Sequence, residues 1–182
     1  MITFIYILLT IIIIVSILTV LYISLYNKIQ FSKIRIKEAE QVIVDELTHR
    51  YELIMKTKKI IERNTKMDLN FYNDLEKIKG SNITSYELEK KITEAIATIY
   101  LITNDHPNLE EKKEFKELLR KINESDTKII AAKSFYNQNN TDLNNLIRKF
   151  PTNLIANVHK IKIQPFYEGK EIFNEIDDGI KI

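Results

Sequence analysis

Residues Phe4 to Tyr26 read FIYILLTIIIIVSILTVLYISLY, an apolar run without one charged side chain. No other feature restricts the chain as much. A bilayer core about 30 Å thick is crossed by roughly 20 apolar residues in a helix. The run meets that length with a little left for tilt. It holds 16 Ile, Leu, Val or Phe residues. At roughly −0.3 to −0.6 kcal/mol each, insertion of such a segment is favoured by about 5 to 10 kcal/mol. A core helix of a soluble protein rarely runs so long without a polar stripe. A cleaved signal peptide wants a positive start, a short apolar stretch and small residues before the cut. Here no Lys or Arg precedes the run, and Ser24, the small-residue candidate, has Tyr22 two places before it. The run therefore predicts an uncleaved anchor over residues 1–27. Tyr6, Tyr22 and Tyr26 fall near its ends, where amphipathic rings favour the interface.

Lys28, Lys33, Arg35 and Lys37 follow at once, and Glu38 is the first acid. Lys and Arg close to a span favour the cytoplasmic side. The bias predicts a single-pass protein of the cytoplasmic membrane, N-terminus outside and residues 27–182 in the cytoplasm. The same four cations are expected to meet the anionic inner leaflet, at about 1 kcal/mol each near the surface. The chain has no Cys, so disulfides and a lipid-modified cysteine are excluded. With a net charge of only +2, a polyanion partner is not implied. Tyr and Phe are plentiful, but most recur at the spacing of a helix core, and the basic cluster adjoins the membrane. Nucleic acid is not expected as a partner.

Past the anchor the periodicity is helical. Ile36, Ile43, Leu47, Tyr51, Ile54 and Ile61 recur by threes, fours and sevens and predict a helix over about 27–66. No Gly or Pro interrupts Ile5 to Lys79, so the membrane helix is expected to continue into it, with Gly80 the first plausible stop. A short helix is predicted over Leu69 to Lys79, carrying Leu69, Tyr72, Leu75 and Ile78. Thr84 with Glu87 reads as a capping box. Behind it Leu88, Ile92, Ala95, Ile99 and Ile102 form a narrow seam of the kind found in bundles. Asn104-Asp105-His106-Pro107 breaks that helix, and Asn108 with Glu111 suggests the next cap. The last helix places Phe115, Leu118, Ile122, Ile129, Ala132, Tyr136, Leu143, Ile147 and Phe150 on one face, and Pro151 ends it. Ser125 and Asn140 interrupt this face as small or hydrogen-bonding bundle positions; a polar site between helices is the alternative. Asn137 and Asn144 share a face and are expected either to fix helix register or to anchor the Phe150-Pro151 segment.

Helices joined by short connections give a bundle. The fold expected is all-α: a transmembrane helix running into an antiparallel bundle of about four helices over 28–151, then an irregular tail over 152–182, partly packed on the bundle. Ile172, Phe173 and Ile176 in the acidic tail could dock as a short helix or stay in a flexible arm.

No reaction is legible. HExxH, GxxxxGK[ST], GxGxxG and GxSxG are all missing from the sequence. With three Gly in the chain, a glycine-rich phosphate loop has no material. His49, His106 and His159 begin no metal motif. Glu110-Glu111-Lys112-Lys113-Glu114 reads as a solvated face with i,i+4 pairs. Arg50, at the border of the apolar stripe, suits a carboxylate, a Glu of the next helix before a partner's. No catalytic, cofactor-binding or metal-ligating residue is assigned.

The chain from about Tyr26 to Glu168 resembles the LemA family. Tyr136-Asn137, Asn144, Phe150-Pro151, Asn153-Leu154 and Ala156 match its "YN … N … FP-x-N-L-x-A" run. Pro165-Phe166-Tyr167-Glu168 is similar to its closing stretch. Tyr26-Asn27 matches its "YN" beyond the anchor, and Leu47, Arg50, Leu53 and Ile54 its "L-x-x-R-x-x-L-I" stretch. The chain departs from the pattern in having no Trp, in Met55 where Pro is usual, and in Val158-His159-Lys160 where a Gly-Phe pair is usual. The resemblance implies a bacterial membrane protein with a four-helix-bundle-like domain and an outward N-terminus, and no agreed activity. Its members occur near membrane proteases and TPM-domain proteins, which implies an envelope role. The function expected is a non-enzymatic scaffold or interaction protein with a membrane or envelope protein partner. The alternative is a regulatory or sensory subunit that binds an effector or a membrane protease.

Overall fold

A computed structural model of the chain describes residues 1–65, 69–78 and 84–169. Five α-helices lie among the described residues: α1 Ile2–Asn64, α2 Asn70–Ile78, α3 Ser85–Asp105, α4 Lys113–Arg148 and α5 Thr152–Val158. Short 3-10 turns occupy Pro107–Leu109 and Tyr167–Gly169. No strand occurs among the described residues, and Ile161-Lys162-Ile163 runs without regular structure. Gly80 and the acidic tail from Lys170 lie outside the described residues.

The apolar run and the first bundle stripe form one 63-residue helix. Nothing in its sequence lacks a backbone donor or favours a turn. Its most apolar stretch is wholly exposed within the protein. Side chains this apolar, bare over several turns, suit lipid rather than water. Three hydroxyls within it find a partner on their own helix: Thr10, Ser16 and Thr19 each donate to the carbonyl four residues back, at 2.8 Å.

The chain forms two compact units. One comprises Met1–Glu38 with Tyr136–Lys170. In it Ile29, Ile36, Tyr136, Leu143, Ile155, Ala156 and Tyr167 are buried. Tyr136 and Tyr167 meet edge-on, ring centroids 5.8 Å apart. α4 stops at Arg148, and Thr152 Oγ1 donates to the carbonyls of Leu146 and Lys149 at 2.6 and 2.7 Å, closing the corner into α5. α5 ends in a Schellman motif. The Ile161 N–H bonds the Ala156 carbonyl at 2.9 Å, the Lys160 N–H bonds that of Asn157 at 3.1 Å, and Lys160 is left-handed at φ 51°.

The second unit contains Ala39–Phe135. Ile43, Leu47, Ile54, Ile61, Tyr72, Ile92, Ile99, Leu109, Phe115, Ile122 and Ile129 fill its core. Each aliphatic side chain removed from water contributes about 1.5–3 kcal/mol before the entropy of ordering it. Glu46 meets Lys128, Arg50 meets Asp126, and Met55 to Arg63 share a groove with Glu114, so this part of α1 runs antiparallel to α4. Glu89 meets Lys133 and Tyr100 meets Asn123, so α3 is antiparallel to α4 as well. The capping box of α3 is formed. Thr84 Oγ1 accepts from the Glu87 N–H at 3.2 Å, and Glu87 Oε2 accepts from the Thr84 N–H at 2.9 Å.

Two expectations are corrected. Asn108 and Glu111 do not cap a helix, because Pro107–Leu109 take a 3-10 turn and α4 begins at Lys113. Pro107 presets that tight turn and buried Leu109 holds it against the core, so the chain has not yet entered α4 at Asn108. Phe150 is not on the buried face: α4 ends two residues earlier, its period lapses, and Phe150 is 73% exposed.

Candidate functional site

In the first unit, three asparagines on α4 hold the segment 164–168, mostly by its backbone. Their spacing puts Asn137, Asn140 and Asn144 along one side of the helix. Asn144 donates to the Gln164 carbonyl at 2.8 Å and accepts from the Gln164 N–H at 2.9 Å. Asn140 Nδ2 donates to the Pro165 carbonyl. Asn137 accepts from the Tyr167 N–H at 2.9 Å and donates to Glu168 Oε2 at 3.1 Å. An amide offers a donor and an acceptor side by side, so each asparagine can stand in for a strand edge. Both Asn137 and Asn144 anchor residues 164–168, not the Phe150-Pro151 segment.

The same unit carries a groove of about 420 Å³ lined by Lys28, Phe31, Ser32 and Arg35 of α1 and by Asn139, Asp142, Asn145 and Lys149 of α4. The Arg35 guanidinium carbon stands 5.2 Å from the centre of the Phe31 ring. Three cations against one carboxylate give the groove a net positive charge, able to attract an anion. Lys33 and Lys37 are exposed on the other sides of α1. At the end of the apolar run, Tyr22 Oη shares a 2.8 Å hydrogen bond with His159 Nε2. The Tyr26 ring packs 4.8 Å from the same imidazole.

In the second unit a polar network joins α1 and α4. Arg50 is 6% exposed and donates to Asp126 Oδ1 at 3.0 Å. Glu46 accepts from Ser125 Oγ at 3.1 Å and from Lys128 Nζ at 3.0 Å. Burial works against its charge, but the bonds from Lys128 and Ser125 outweigh it and hold the Glu46 carboxyl below its ordinary range. Nearby, Thr57 Oγ1 and Tyr72 Oη lie 2.7 Å apart, fully buried. Burial pushes the Tyr72 phenol well above its usual range, so it stays neutral. On the exposed side of α4, the Arg120 hydrogen bond holds the Glu117 carboxyl down at about 2.

Ser125 and Asn140 thus each donate to a partner in their own unit. The partner of Arg50 is an Asp rather than a Glu. Periodicity marks Arg50 as bordering a buried stripe but carries nothing about which carboxylate 76 residues later will face it. His159 acquires Tyr22 and Tyr26 as neighbours only through the corner after α4. Among the described residues no three His, Asp or Glu come together as metal ligands do. A model of the LemA family matches residues 39–176. No curated protein and no solved structure gives a match.

Proposed function

The chain belongs to the LemA family, and from that premise we propose that it is a non-enzymatic scaffold or interaction protein of the cytoplasmic membrane. In this reading one span crosses the bilayer, the N-terminus lies outside, and the remaining residues stand in the cytoplasm. The cations Lys28, Lys33, Arg35 and Lys37 form a collar against the anionic leaflet.

The observation that carries the reading is the continuity of α1. A tether needs only a flexible linker, yet here the apolar run enters the bundle without a break from Ile2 to Asn64. A helix in place of a loop at this point suits presenting a surface to a membrane neighbour. The rival reading, an effector-binding regulatory subunit, needs polar groups available to a ligand. Ser125 gives its hydroxyl to Glu46, so that position serves the fold without a ligand, and the choice between the two readings rests on α1.

Photo-crosslinking in native membranes tests this. A crosslinker at exposed Leu101 or Ile130 should yield a discrete adduct with a membrane protein; a chain that stays monomeric and without adducts sinks the proposal. Orientation is tested by Thr3→Cys and Glu111→Cys with an impermeant thiol reagent on intact cells. The first should label and the second should not.

A further inference from the structure

We propose that α5 is a second membrane contact, an interfacial helix whose outer face lies in the boundary between headgroups and acyl chains. The inference rests on the membrane-anchor reading but not on orientation or on the scaffold role. Phe150, Leu154 and Val158, spaced by fours along α5 and the turn before it, are 73%, 54% and 69% exposed. Thr152, Ile155 and Ala156 face the other way and are buried in the first unit. One side of the helix is therefore covered by protein, and the other leaves three large apolar side chains bare, with exposed Asn157 beside them.

What covers the bare side follows from depth. Val158 adjoins His159, whose imidazole bonds Tyr22 at 2.8 Å and packs on Tyr26 at 4.8 Å. Both tyrosines belong to the last turns of the apolar run. If that run spans the bilayer, His159 stands at its edge, and the exposed stripe starts there. Leu154 lies about 6 Å from Val158 along the helix, and Phe150 stands in the turn before it. Cations bracket the stripe: Arg148 and Lys149 on one side, Lys160 and Lys162 on the other. Such Lys and Arg side chains can reach phosphate while their stems stay in the boundary, as a membrane contact at this depth requires.

The chain has no Trp, so single Trp substitutions report position directly. The full chain is reconstituted in vesicles of mixed phosphatidylethanolamine and phosphatidylglycerol, with and without lipids brominated at shallow or deep acyl positions. Ile13→Trp reports the span, and exposed Glu38→Trp, about 18 Å beyond Tyr26 along α1, reports water. Leu154→Trp should emit to the blue of Glu38→Trp, be quenched by shallow bromines, and resist iodide several-fold better. Val158→Trp should do the same if the first variant fails to fold. Emission and iodide quenching like those of Glu38→Trp, with Ile13→Trp still quenched by lipid, would overturn the proposal and leave the anchor standing. Shielding from iodide without bromine quenching would also overturn it, since protein rather than lipid would then cover the face. If Ile13→Trp itself escapes deep bromines, the anchor reading fails and the inference with it.

Discussion

Arg50 and Asp126 join α1 to α4 through a 3.0 Å charge-assisted hydrogen bond in which the cation is buried and the carboxylate half open to water. The asymmetry sets the energetics. Asp126 retains much of its hydration, while the guanidinium has given up nearly all of its own. Removing the carboxylate strands a buried charge; removing both groups does not.

Asp126→Ala is therefore expected to destabilise the protein by about 1–3 kcal/mol, less than a fully buried pair would lose. Arg50→Met in that background should recover part of the loss. A double-mutant cycle by urea denaturation of the full chain in detergent, followed by helical circular dichroism, reads the coupling. A coupling near zero would show that the pair only fills space.

The lowered Glu46 carboxyl fixes the sign of a pH effect. A group whose folded pKa is depressed stabilises the fold above its unfolded pKa of about 4.3, and that stabilisation drains away as pH falls toward the folded value. Stability should fall on acidification below about pH 5, and Glu46→Gln should flatten that fall while lowering stability at neutral pH. Denaturation midpoints against pH for the two proteins make the comparison. Equal slopes would assign the acid sensitivity elsewhere.

Asn144 pairs with both backbone groups of Gln164. Asn144→Ala removes both bonds, at about 0.5–1.5 kcal/mol net each, so exchange of the Gln164 amide should rise roughly 5- to 150-fold. Hydrogen exchange by mass spectrometry on peptides covering 160–169 is the measurement. The Tyr167 amide, held by Asn137, should respond in the same way to Asn137→Ala.

Lys160 takes the left-handed position of the Schellman motif that ends α5. A Cβ there costs about 1–2 kcal/mol relative to glycine, part of which Gly loses through its freer unfolded chain. Lys160→Gly should stabilise by about 0.5–1 kcal/mol. A loss of stability would mean that the Lys side chain contributes more than its backbone strain costs.

Much of this architecture could be read in advance because it is local. An unbroken apolar run, stripes at helical spacing and the Thr84–Glu87 box depend on residues within a few turns of each other, where helix geometry alone determines what meets what. Ile36 through Ile61 and Ile92 through Ile102 are buried as their periodicity requires. Periodicity stops deciding burial where local order stops. At Asn108 a proline-led turn overrode a cap signal, and at Phe150 the end of α4 cancelled a period that would have buried the ring.

By itself, then, the sequence determined the long apolar N-terminal helix, its continuation into a helical bundle, the core faces and the family. Tertiary structure alone decided who pairs with whom: Arg50 with Asp126, Asn144 with Gln164, Tyr22 with His159, the last across 137 positions. Periodicity assigns a side chain to a face but not to a partner. The partner depends on how far each helix runs before it turns: α4 ends at Arg148, and Phe150, two residues on, leaves the buried face.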